Sequence, residues 1–209
     1  MKQIVDPKEK SPKDFYKILI GSILPRPIAL VSTISKSGEL NVAPFSFFTV
    51  ASARPPILCF SPSFKLAEDG ISPVPKDTLV NIRETGDFVV NIVGEETLHE
   101  MNQTSFDYSP DVNEFEAAGL TIEQSLKVKS PCVAESLVNY ECKLYDILEL
   151  GSEPMGGSLI LGEVVQVHLS DTVYKNGKVD PDILKPIGRL GGLWYSTIND
   201  KFELPRPKS

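Results

Sequence analysis

Prolines punctuate this chain so densely that no long helix can run through it. Seventeen occur among 209 residues, about 8% against a usual ~5%, and they are scattered from Pro7 to Pro207. Proline lacks a backbone N–H and clashes with the preceding helical turn, so it is confined to first turns, corners and sheet edges. A sheet-rich protein with short helices follows. Hydrophobic residues at 41% and charged residues at 23% exclude global disorder. A chain of this length buries roughly 70% of its unfolded surface and needs no staples.

Ser11-Pro12-Lys13-Asp14 predicts a helix start with Phe15, Ile18 and Leu19 facing inward and an end at Gly21. Ile28 to Ser35 reads as a strand. Leu40 to Ala53 reads as a hydrophobic strand bent by Pro44, and Arg54-Pro55-Pro56 forces a corner before a strand over Ile57 to Ser61. Lys76-Asp77-Thr78 opens a short helix that stops at Gly86, and Asp87 to Val93 is a strand. Glu95 to Gln103 and Asn113 to Ala118 look helical. In Ser136 to Leu144 apolar and polar residues alternate, and the phase then shifts at Tyr145, which predicts a bulge. Ser158 to Leu169 is a long strand with mostly apolar odd positions. With no internal repeat and no long linker, one domain over 1–209 is expected. The fold class is mainly β with helical insertions, a single antiparallel barrel.

The formal charge is 21 − 28 = −7, which disfavours nucleic acid and anionic membrane as partners. Cys59, Cys132 and Cys142 form no Cys-x-x-Cys pair, so neither a disulfide scaffold nor a cysteine-rich zinc site is indicated. With no signal-like or membrane-spanning apolar run, a soluble cytoplasmic protein is expected.

His99 and His168 are the two histidines, and no Gly-x-Ser-x-Gly turn exists, which sets aside a Ser-His-Asp hydrolase. Glu96 and His99 have helical spacing but no second such pair, so no metal site is expected. His168 reads as a surface or interface residue. Gly188 to Gly192 is too irregular for a dinucleotide loop. Two features remain, each with a plain alternative. The helix opening at Lys76-Asp77-Thr78 offers N–H groups, a hydroxyl and a full positive charge to a phosphate, or is simply capped by Asp77 or Thr78. Asn41 to Phe48 is either a bent strand or a wall for a flat heteroaromatic ring with polar edges.

The residues carry a resemblance. Pro25 to Thr33, Asn41 to Phe47, Arg54-Pro55-Pro56, Lys76-Asp77-Thr78 with Asn81-Ile82, Glu114 to Leu120, and Gly188 to Gly192 with Tyr195 together resemble the flavin reductase-like family. The branch is that of flavoredoxins and nitrilotriacetate monooxygenase component B, and the likeness spans roughly 16 to 197. It implies a Greek-key-like FMN-binding split β-barrel, usually a homodimer with the flavin near the subunit interface. By this resemblance Asn41, Ala43, Pro44, Phe45 and Ser46 meet the ring and ribityl chain, with Ser61 on the neighbouring strand. Lys76 and Thr78 hold the phosphate, Asp77 and Asn81 of the same helix are counted with the cofactor site, and Arg189 approaches the flavin or the partner subunit. The implied activity is an NAD(P)H-linked flavin reductase passing electrons through FMN to free flavin or another small acceptor. The alternative is an FMN-carrying electron-transfer protein with no nicotinamide site. No catalytic acid–base residue is assigned, because flavin chemistry needs none.

Overall fold

The computed structural model describes residues 1–67, 69–109 and 112–207. Seven strands make one antiparallel sheet: β1 (Ala29–Ile34), β2 (Leu40–Phe45), β3 (Phe48–Ala53), β4 (Pro56–Phe60), β5 (Asp87–Ile92), β6 (Val138–Glu149) and β7 (Ser158–Leu169). Their spatial order is β2-β1-β5-β6-β7-β4-β3. The two edge strands, β2 and β3, are consecutive in sequence and joined by Ser46 and Phe47 alone. So short a link requires the sheet to curl until its edges meet. The result is a split β-barrel.

The expected bent strand over Leu40 to Ala53 is therefore two strands, and the break falls at Ser46-Phe47 rather than at Pro44. Pro44 pairs with Leu30 on edge strand β2, where a missing N–H costs no ladder bond. The bulge is present: Leu144 faces Gly162 and Asp146 faces Leu161, leaving Tyr145 as the extra residue. In β7, however, the deeply buried positions are the even ones, Ser158, Ile160 and Gly162. Gly162 leaves room for a core ring, because a Cβ there would lie 2.2 Å from Phe88 Cζ.

Two apolar clusters flank the sheet. Inside the barrel lie Phe45, Phe60, Phe88, Val31, Val90 and Ile160, with Leu79 and Ile82 from helix α2 (Asp77–Thr85) closing one end. On the outer side Leu30, Val42, Val133 and Ile187 pack with Met101 of α3 (Leu98–Gln103) and Phe115 of α4 (Glu114–Ala118). The first helix, Pro12–Ser22, is capped by the Ser11 hydroxyl as expected but buries no residue. Ile18 and Leu19 are exposed, so its apolar face is not turned inward. Among the described residues no helix is long and apolar enough to cross a membrane.

Candidate functional site

The site grows from the place where β2 meets α2. Lys76 is the N-cap of α2 and forms no side-chain cap bond. A lysine has no acceptor to offer, so neither alternative cap reading applies, and the N–H groups of the first turn keep their partial positive charge. The Thr78 hydroxyl, 1% exposed, donates to Asn41 Oδ1 at 2.8 Å. Asn41 also accepts from Thr33 at 3.3 Å and donates through Nδ2 to Glu114 Oε2 at 2.7 Å. Buried Glu114 takes a second bond from the Val42 N–H at 2.6 Å. Burial pushes its carboxyl up to about 7, against the bond from Val42.

A narrow cleft of about 80 Å³ is lined by Asn41, Ala43, Lys65, Lys76, Asp77 and Thr78. It meets a wider one of about 600 Å³ at two shared residues, Pro44 and Ser105. Ser46, Ile28 and Pro44 form one wall of the wide end, His99, Met101 and Asn102 of α3 a second, and Arg189 and Tyr195 a third. Arg189 belongs to a small hairpin, Gly188–Arg189 against Tyr195–Ser196, which also pairs with Arg26–Pro27. Its guanidinium lies 4.3 Å from the Tyr195 ring centroid and donates to the Gly192 carbonyl at 2.7 Å. Gly188 is required for this packing, since a Cβ would come within 2.6 Å of Pro25.

Of the residues singled out from the sequence, Asn41, Ala43, Pro44, Ser46, Lys76, Asp77, Thr78 and Arg189 line this continuous groove. Three stand elsewhere. Phe45 points into the barrel, its ring 5.0 Å from that of Phe60. Asn81 is buried on α2 and donates to Thr33 at 3.0 Å. Ser61 follows β4, where its N–H donates to the Phe47 carbonyl at 2.9 Å. The wide end is lined by aliphatic side chains interspersed with polar ones, and none of the phenylalanines of Asn41 to Phe48 is among them.

Sequence reasoning did not single out Arg26, which is 6% exposed. It donates to the carbonyls of Ile20 at 2.8 Å, Ile23 at 3.1 Å and Leu190 at 3.0 Å, and reaches Ser46 Oγ at 3.4 Å. A planar fork of donors is what allows one side chain to tie a helix end, a hairpin and the groove floor together. His168, read as a surface or interface residue, is partly exposed and bonds fully buried Glu141 at 2.5 Å.

The flavin reductase like domain family matches residues 20–183. The chain belongs to the flavin reductase-like family. This flavin reductase-like chain is 40% identical over 206 residues to an uncharacterized protein of Halalkalibacterium halodurans, covering 97% of one and 96% of the other. Its fold is similar to that of nitrilotriacetate monooxygenase component B from Bacillus cereus, with TM-score 0.91 and 36% identity over 98% and 99% of the two chains. It is also similar to 2-nitrobenzoate 2-nitroreductase from Pseudomonas fluorescens, with TM-score 0.86 and 29% identity over 98% and 96%. The family makes the chain an oxidoreductase with a flavin-related redox function.

Proposed function

We propose that the chain is one FMN-binding domain that moves electrons from NADH or NADPH to free flavin or another small acceptor in the cytoplasm. The observation that carries this reading is the continuous groove, with the Lys76 ammonium and a helix start free of any side-chain cap at its narrow end and a mixed apolar and polar wide end. The residues fit the cofactor. Lys76 and the first-turn N–H groups of α2 suit one terminal phosphate monoester, which favours FMN over FAD. Ser46, with Arg26 behind it and Arg189 opposite, supplies polar contacts at the ring end. Bound FMN would supply the chemistry of accepting hydride and releasing electrons singly or in pairs, and the protein orients it.

The same groove supports a homodimer. Leu193 of its lining is 91% exposed, Trp194 beside it is 75% exposed, and the first helix presents Ile18, Leu19 and Ile23 to solvent. Apolar surface concentrated beside a site is the expected footprint of a second subunit.

Stopped-flow mixing of the FMN-loaded protein with NADH and with NADPH tests the enzymatic reading. Bleaching of the flavin absorbance by either nucleotide supports it. Failure with both, while dithionite still reduces the protein, favours an electron carrier.

A further inference from the structure

Glu114 is the first residue of α4 and only 7% exposed, yet it stands at the narrow end of the groove. Both of its short hydrogen bonds, from Asn41 Nδ2 and the Val42 N–H, converge on Oε2. Because the Asn41 amide donates toward Glu114, its oxygen faces Thr78 and accepts the hydrogen bond from that hydroxyl. The chain of contacts Glu114–Asn41–Thr78 thus runs from a buried carboxyl to the first turn of α2.

The charged neighbours are few. Lys76 and Asp77 come from the start of α2, Lys65 from the two-residue strand Lys65–Leu66, and Asp107 from the segment after α3. Lys65 is shared between Asp107 at 2.6 Å and Asp77 at 3.7 Å. Lys76 pairs with no carboxylate among the described residues. Glu39, Glu84 and Asp77 line a second cavity, of about 230 Å³, that Glu114 also borders. His99 and Glu100 of α3, which packs against α4, share neither cavity with it.

We propose that Glu114 is the proton-linked positioning residue of the phosphate cradle: when a phosphate dianion occupies the narrow end, Glu114 shifts toward its protonated form, drawing the proton from solvent. This rests on the FMN reading above. A dianion beside a buried carboxylate is repelled strongly where water is scarce, and protonation removes that repulsion. Oε2 still accepts from Asn41 and Val42, so the Asn41 amide and the Thr78 hydroxyl keep their orientation. The proton falls on Oε1, whose O–H becomes a donor. Burial already brings the carboxyl to about 7, so the exchange takes place near neutrality.

The test measures FMN and riboflavin affinity by fluorescence titration between about pH 7 and pH 9, on wild type and Glu114→Gln. The glutamine keeps one acceptor oxygen and imitates the neutral acid. Wild type should lose roughly fivefold in FMN affinity over that range, the amount for one carboxyl raised by about one pH unit on binding. The variant should bind FMN with a much flatter profile, and riboflavin should show no such loss with either protein. Parallel FMN profiles in the two proteins would overturn the proposal. Equal wild-type affinity for FMN and riboflavin would instead remove the phosphate cradle itself, a distinguishable result. Carbon NMR of wild type guards against a variant that fails to fold. The Glu114 carboxyl, assigned through its backbone, should titrate at higher pH with FMN present than without, and an unmoved midpoint would contradict the proposal.

Discussion

The Thr78 hydroxyl is bonded to Asn41 Oδ1 at 2.8 Å, so the first turn of α2 is tied to edge strand β2 before any ligand arrives. Thr78 and Lys76 therefore contribute differently to the narrow end of the groove. Thr78 fixes the cradle's shape, and Lys76 supplies its charge.

Substitution separates the two roles. Lys76→Ala should weaken FMN binding roughly tenfold or more, the loss of one charge-assisted bond, and leave riboflavin affinity and the melting temperature nearly unchanged. Thr78→Ala strips a buried acceptor of its best donor and should cost about 1–3 kcal/mol of stability. Calorimetry and flavin titration on the same samples check both, and equal effects of the two changes on melting would contradict the division.

Gly162 and Gly21 should respond oppositely to alanine. At Gly162 the new methyl meets Phe88 inside the core, and overpacking of this kind costs about 1–3 kcal/mol or more. At Gly21, on the first helix, nothing lies within 4 Å of the added carbon, and alanine stabilises a helix by roughly 0.5–1 kcal/mol. Thermal melts of the two variants should shift in opposite directions.

Arg26 should prove irreplaceable by lysine. An ammonium cannot reach three carbonyls in different directions, so Arg26→Lys should destabilise the Gly188 to Ser196 hairpin. Hydrogen exchange checks this directly. Faster exchange is expected at Leu190 and Trp194, whose N–H groups close that turn, with little change in β5.

The pH dependence of stability follows from Glu114. Its folded-state pKa, about 7, lies above an unfolded value of roughly 4.3, so the native state binds more protons in between. Its contribution to stability is fully present below the lower value and is lost as pH rises through the higher one. Glu114→Gln should gain on wild type between about pH 5 and pH 8, by on the order of 3 kcal/mol at most, and parallel melting curves would contradict the assignment.

Much of this architecture is legible in the sequence, because strand alternation and proline position are local signals. The bulge at Tyr145 shows as a change of phase, and the helix start at Ser11 shows in its cap. What escaped depends on which side of an element the rest of the chain covers. The apolar residues of the first helix suggest an inward face, yet no part of the barrel covers Ile18 or Leu19. Phe45 looks like a ring-stacking wall by type, but its ring packs inside the barrel against Phe60, while Ala43 and Pro44 beside it line the groove. Arg26 gave no signal, because its partners are carbonyls of Ile20, Ile23 and Leu190, which no side-chain pattern reports.

A second subunit over the exposed apolar surface gives a further expectation. Light scattering at micromolar concentration should return twice the chain mass, and Trp194→Asp should shift the protein toward monomer. A monomer mass for the unaltered protein would contradict the homodimer.

Titration of the flavin-stripped protein with FMN, FAD and riboflavin is the decisive measurement of the cofactor. A yellow protein on purification, release of FMN on heating, and an affinity order with FMN first are expected. A colourless protein with no measurable FMN affinity would contradict the FMN reading.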